Sequence, residues 1–239
     1  ALKTCRDKNY TWWYKRIGNW NQVCNAGLVC SALAIYEHCP ELAQEVIDDA
    51  VKTNRPAIEG IYGPDGAYPE GATYWGFGTI YQVLMLTAME NAIGYDFGLS
   101  KAPGFLETGT FQIFTTGTSG KAFNFADNVL GGNYNYPLWY FVAKKQNPSM
   151  LFKERELLKS ANYRNGGHKG LITLSIRNAM DIKPCESVVP FQNFYSAQGK
   201  TPIMMCRTGW DKDDLYLGIK GGQDGYLHGH QDCGSFVYD

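Results

Sequence analysis

Apolar and small residues crowd positions 19–36, where Val23, Ala26, Gly27, Val29, Cys30, Leu33 and Ala34 leave few polar breaks. That density predicts a buried helix packed closely on its neighbours. Pro40 stands where a first helical residue is favoured, and Leu42, Val46, Ile47 and Val51 then share one face of a second helix. Residues 62–69 (YGPDGAYP) are turn chemistry. A long helix follows over about 71–92, carrying Tyr81, Leu84, Met85 and Met89. Weaker helical segments are expected at 105–114, 136–145 and 152–162. Helix pairs joined by Gly/Pro loops suggest a helical array or toroid, although no clean repeat is visible. After about Lys183 the texture changes. Residues 187–194, 202–207, 215–220 and 234–238 are short and β-rich, with turns such as WDKDD (210–214) between them.

The expected fold class is therefore α+β: a helical domain over 1–183, then the start of an antiparallel sheet domain over 184–239. Some 55 residues of strand and turn fall short of the roughly 100 of an ordinary sandwich. The chain accordingly reads as a piece cut short at its C-terminal end.

Composition narrows the partners. With 22 Lys and Arg against 23 Asp and Glu, the formal charge is -1. No general attraction to nucleic acid or anionic membrane follows from that balance. No run approaches the roughly 20 apolar residues of a membrane span. Aromatic residues reach 14% while charged residues are only 19%. That combination suits a cleft lined by rings and amides, as in many sugar-binding proteins. Seven cysteines without a C-x-x-C pair supply neither a disulfide framework nor a zinc ribbon. The start, ALKTCR, lacks the pattern of a signal peptide, which leaves a cytosolic protein or a leader upstream.

Three places concentrate chemistry. Asn19, Trp20, Asn21, Gln22 and Asn25 open the first long helix, and N-capping accounts for only one of these amides. Asp65 to Trp75 (DGAYPEGATYW) gathers Tyr68, Glu70, Tyr74 and Trp75 at a loop–helix junction. His228, His230 and Asp232 alternate in the loop before the last strand, a constellation suited to acid/base work or metal binding. Zinc hydrolases also use an H-x-H-x-D string, but follow the Asp with His, where Cys233 stands here. No P-loop, dinucleotide fingerprint or G-x-S-x-G elbow is present.

Taken in order, NWNQVCNAG (19–27), DGAYPEGATYW (65–75), FNFAD (123–127), MMCRTGWD (204–211) and KGG…HGHQDCGSFVYD (220–239) resemble the heparinase II/III family of polysaccharide lyases. The resemblance spans nearly the whole chain and implies an incomplete (α/α) toroid followed by an antiparallel β-sandwich. Family members are usually longer, so the chain looks like an internal piece of one. The implied reaction is β-elimination in a 4-linked uronate polysaccharide, in the bacterial periplasm or outside the cell.

Carried over onto matching positions, Tyr74 is the expected base and acid, and His228 the active-site histidine. An Asn neutralises the substrate carboxylate, and Asn21 is preferred here to Asn19. Asn19, Trp20, Tyr68, Glu70, Trp75 and Arg207 are expected substrate contacts. His230 matches the metal-binding histidine of zinc-containing members, with further ligands expected beyond Asp239. A catalytically silent glycan-binding relative is the main rival, and a metal-dependent hydrolase using His228, His230 and Asp232 a less favoured one.

Overall fold

A computed structural model describes residues 7, 10–131, 135–151, 192–222 and 227–239. Three long helices come first: α1 (Asn19–Ile35), α2 (Pro40–Tyr62) and α3 (Gly71–Ile93). Two short ones follow, α4 (Thr108–Phe114) and α5 (Leu138–Lys145). The strands β1 (Phe194–Ala197), β2 (Ile203–Arg207), β3 (Tyr216–Lys220) and β4 (Phe236–Tyr238) form one antiparallel sheet in sequential order. The protein is thus α+β, helices before strands. The helix expected at 152–162 and the expected boundary near 183 lie outside the described residues.

α1 packs against both α2 and α3. It carries small residues where helices meet, Ala26 and Ala32 being buried. At Gly78 of α3 a Cβ would lie 2.1 Å from Gln22 Oε1 and 2.6 Å from the Tyr68 hydroxyl, so hydrogen there lets α1 and α3 come together. α2 starts at Pro40 and has the clearest two-faced pattern, with Val46, Ile47, Ala50, Ile58 and Ile61 turned inward.

A polar seam runs through the helical core. Asn54 Nδ2 donates to Gln82 Oε1 at 2.8 Å, Gln82 Nε2 donates back to Asn54 Oδ1 at 2.9 Å, and Asn54 Nδ2 also reaches Asn21 Oδ1 at 3.1 Å. Each member is buried and each bond satisfies an amide that would otherwise cost about 1–3 kcal/mol unpaired. Such a seam specifies which helix faces which more sharply than aliphatic packing does.

The sheet does not stand apart from the helices. Alternation along the strands buries Tyr195, Ala197, Ile203, Met205 and Tyr216, which join Phe111 and Phe114 of α4 in one hydrophobic core. The Tyr195 ring stacks 5.8 Å from Phe114, and the Tyr216 hydroxyl donates to the Phe114 carbonyl at 3.0 Å. This shared core sets the sheet's loops against the helical part.

Candidate active site

The first element of the site is the N-terminal end of α1. Gly18 caps it without a side-chain bond, and a Cβ at Gly18 would meet Leu227 Cδ1 at 2.7 Å and Glu70 Oε1 at 2.9 Å. Glycine therefore lets three segments converge: the start of α1, the start of α3 and the HGH loop. Asn19 Nδ2 donates to Glu70 Oε2 at 2.7 Å. Glu70 is fully buried, against the end of α1 where unpaired N–H groups favour negative charge. Burial pushes its carboxyl above the usual range. The Asn19 side-chain amide, the His228 charge, the Asn19 backbone amide and the Arg16 charge oppose that shift without cancelling it.

The second element is Tyr74, in the first turn of α3. Its ring stacks on the His228 imidazole, centroids 3.8 Å apart and planes 15° from parallel. His228 belongs to the loop that follows β3, so this stack joins the helical part to the sheet part.

Asp127 holds that loop. One carboxylate oxygen lies 2.9 Å from His228 Nδ1 and the other 2.7 Å from His230 Nε2. The Asp127 amide donates to the His228 carbonyl at 3.1 Å. The two histidines hold the Asp127 carboxyl below its ordinary value, His230 the more strongly. Backbone strain marks the same contact: His228 has φ 58 and Ala126 φ 55, both in the left-handed region that side chains disfavour.

A cleft of about 200 Å³ opens over these groups, lined by Trp12, Arg16, Asn19, Trp20, Leu227 and His228. Trp12 and Trp20 meet edge to face with centroids 5.9 Å apart, each about half exposed. The Arg16 guanidinium sits 5.2 Å over the Trp12 ring. A shallower groove of about 780 Å³ shares Trp12 and is lined further on by Lys15, Lys52 and Pro56.

The sequence-predicted residues divide between the cleft and the core. Asn19, Trp20 and His228 line the cleft, Tyr74 stacks on His228, and Glu70 lies beneath Asn19 rather than in the open. Asn21 is elsewhere. Its Nδ2 donates to the carbonyls of Trp13, Tyr14 and Thr53 at 3.2–3.3 Å, and its Oδ1 accepts from Asn25 and Asn54. Two positions along a helix turn a side chain through about 200°, so Asn21 serves the core where Asn19 serves the cleft.

Tyr68 is buried and donates to Gln22 Oε1 at 3.0 Å. Trp75 is buried and donates to Thr108 Oγ1 at 2.8 Å. Arg207 lies in the helix–sheet seam, its guanidinium 3.6 Å from the Trp210 ring centroid and donating to the Thr116 carbonyl at 2.8 Å. Burial lowers its pKa to about 10.

Sequence reasoning missed Trp12, Arg16 and Asp127 as site residues. The first two stand in WWYKR (12–16), an aromatic and basic string, and Asp127 ends FNFAD.

A closed zinc shell takes four ligands. Around His230 the structure supplies Asp127, while Asp232 pairs with the buried Lys220. Among the described residues no group of three or more His, Cys, Asp or Glu is arranged to hold a metal ion.

No protein-family model matches this chain, and no curated protein matches its sequence.

Proposed function

We propose that this protein is a polysaccharide lyase of the heparinase II/III type, cleaving a 4-linked uronate chain by β-elimination. In that reading the helices belong to an (α/α) toroid and the sheet begins an antiparallel β-sandwich. The substrate is an acidic polysaccharide met in the bacterial periplasm or outside the cell. The observation that carries the reading is the Tyr74–His228 stack, standing beside Asn19 at an aromatic, cation-bearing cleft.

The chemistry sets three tasks. The proton on C5 is weakly acidic because the adjacent carboxylate is ionised. That carboxylate must be neutralised, the C5 proton removed, and the departing O4 protonated. Asn19, which lines the cleft, is assigned the first task, and Arg16 adds a positive charge there. Asn19 takes the role first assigned to Asn21, whose side chain is fully engaged in the core.

Tyr74 takes the C5 proton and returns it to O4, a sequence that suits a syn elimination from one face. His228, oriented through its Nδ1 by Asp127, serves at the cleft as a hydrogen-bonding partner for the substrate. Trp12 and Trp20 offer ring faces and edges for sugars, and Lys15 and Lys52 offer charge for flanking uronates.

The test is direct. The protein is incubated with heparan sulfate, hyaluronan, chondroitin and alginate while ultraviolet absorbance of the C4–C5 unsaturated product is followed. Absorbance should rise with at least one polymer and fall by at least about a hundredfold in rate for Tyr74→Phe, which removes the acid/base group. A flat trace on every polymer, with binding retained, would move the reading to a silent glycan-binding relative.

A further inference from the structure

The first turn of α3 is capped from outside its own helix. Glu70, at the cap position, makes no side-chain bond there. Instead Asn128 Oδ1, from the loop between α4 and α5, accepts from the Thr73 amide at 2.9 Å. Thr73 is the third residue of α3, and its N–H is one of the donors that a helix start leaves without an intrahelical partner. The same Asn128 oxygen accepts from the Thr73 hydroxyl, which in turn accepts from the Val129 amide at 3.2 Å. Asn128 Nδ2 donates to the Phe123 carbonyl at 3.0 Å, and that bond holds the side-chain oxygen toward the helix.

Gly71 lets the loop come this near. A Cβ there would lie 2.8 Å from the Phe125 carbonyl oxygen and 3.4 Å from Asn128 Cβ, and its φ is 82. The loop turns sharply at the same point, the Asn128 amide donating to the Ala126 carbonyl at 2.7 Å. Two neighbouring side chains consequently part: Asp127 reaches His228 and His230, and Asn128 reaches Thr73.

We infer that Asn128 is a positioning residue for Tyr74, acting through Thr73 and the first turn of α3, so that Asp127 and Asn128 together clamp both rings of the Tyr74–His228 stack to one loop. Tyr74 follows Thr73 directly, and the direction of its side chain is set by the backbone of the turn that Asn128 holds. Helix starts fray where their donors lack partners, and a frayed turn would swing the phenol off the imidazole. The clamp keeps the two centroids 3.8 Å apart and the planes 15° from parallel. Because one short turn carries both grips, a shift of the loop moves both rings together and changes their separation little. Asn128 is not among the residues lining the cleft, so its loss reaches a substrate through the stacked pair. The catalytic consequence rests on the lyase reading, whereas the clamp does not.

Nuclear magnetic resonance of the full chain reads the clamp without substrate. The His228 ring protons, assigned with His228→Gln, stack on the Tyr74 ring and should resonate upfield, and Tyr74→Leu should remove that displacement. Asn128→Ala should lose most of it. Asn128→Asp keeps an acceptor for Thr73 at a helix start that favours negative charge, and should retain most of it. Thr73→Ala, which leaves the Asn128–Phe123 bond in place, should lose part of it. An unmoved resonance in folded Asn128→Ala, or in Thr73→Ala where Asn128→Ala does not fold, overturns the inference, as does equal loss in Asn128→Asp.

Turnover supplies the second reading, on whichever of heparan sulfate, hyaluronan, chondroitin and alginate the wild type cleaves. For Asn128→Ala, kcat and kcat/KM should fall together by about tenfold to a hundredfold, the cost of misplacing a reacting group by up to about 1 Å. Asn128→Asp should recover most of that rate. A raised KM at unchanged kcat would make Asn128 a substrate-binding residue and sink the positioning role. If the wild type cleaves no uronate polymer, the lyase reading fails, and the His228 resonances still decide the clamp.

Discussion

Asn19 and Asn21 are the same residue type two positions apart, yet substitution at each should be read on a different instrument. Asn21→Ala strips donors from three backbone carbonyls and an acceptor from two amides inside the helical core. With each orphaned group costing about 1–3 kcal/mol, unfolding free energy should fall by roughly 3 kcal/mol or more in urea titration. Asn19→Ala removes one bond to Glu70. It should lower the unfolding free energy by only about 1–3 kcal/mol, as the buried Glu70 loses its side-chain donor, while lowering turnover at least about tenfold, the loss of one charge-directed hydrogen bond. The reverse pattern would return the carboxylate-binding role to Asn21. Both residues were visible as candidates in NWNQ; which one faces the cleft depends on the rotation of α1 against α2 and α3.

At the scale of elements, the site depends on close approaches that only glycine permits. Gly78→Ala places a methyl 2.1 Å from Gln22 Oε1 and 2.6 Å from the Tyr68 hydroxyl. The Gln22–Tyr62 and Gln22–Tyr68 bonds, at 2.5 Å and 3.0 Å, would be pushed apart with it. Overpacking of this kind costs about 1–3 kcal/mol, so the denaturant midpoint should drop with an unchanged slope. An unaltered midpoint would show that α1 and α3 separate at little cost. The periodicity of α1 and α3 was legible because both run for more than four turns. Their apolar residues wrap nearly all the way round, however, so pattern alone did not say which face meets which neighbour. The polar seam of Asn21, Asn54 and Gln82 makes that choice.

At the scale of the whole molecule, the chemistry depends on a junction between helices and sheet. Asp127 lies between α4 and α5 in sequence and grips both histidines of a loop about a hundred residues later. Asp127→Ala frees His228 from its tautomer-setting partner and from the tether that offsets its left-handed backbone. Misplacement of a reacting group by about 1 Å costs on the order of a hundredfold. Turnover should fall by that order while the thermal midpoint moves little, since Asp127 is exposed. Asp127→Asn, which keeps an acceptor for one imidazole, should recover part of the rate. A large drop in thermal midpoint with unchanged turnover in the surviving folded protein would make Asp127 a purely structural tether. Arg207, in the same junction, is held among Phe114, Trp210 and Tyr216 and fastens the sheet to the helical part.

By itself the sequence determined, among the described residues, that helices precede strands, and it placed most of their ends within a few residues, because spacing, proline and glycine act locally; the strand expected at 187–194 meets β1 only at Phe194. It also placed Tyr74 and His228 among the candidates, His228 through the H-x-H-x-D string and Tyr74 through the resemblance of its EGATYW segment. Only the tertiary structure decided which candidates meet. The convergence at Gly18 of segments about 50 and 200 residues apart, the bracing of His228 by Asp127 and the burial of Glu70 under Asn19 are long-range contacts. The pattern along a chain reports which face of an element is buried, not what it is buried against.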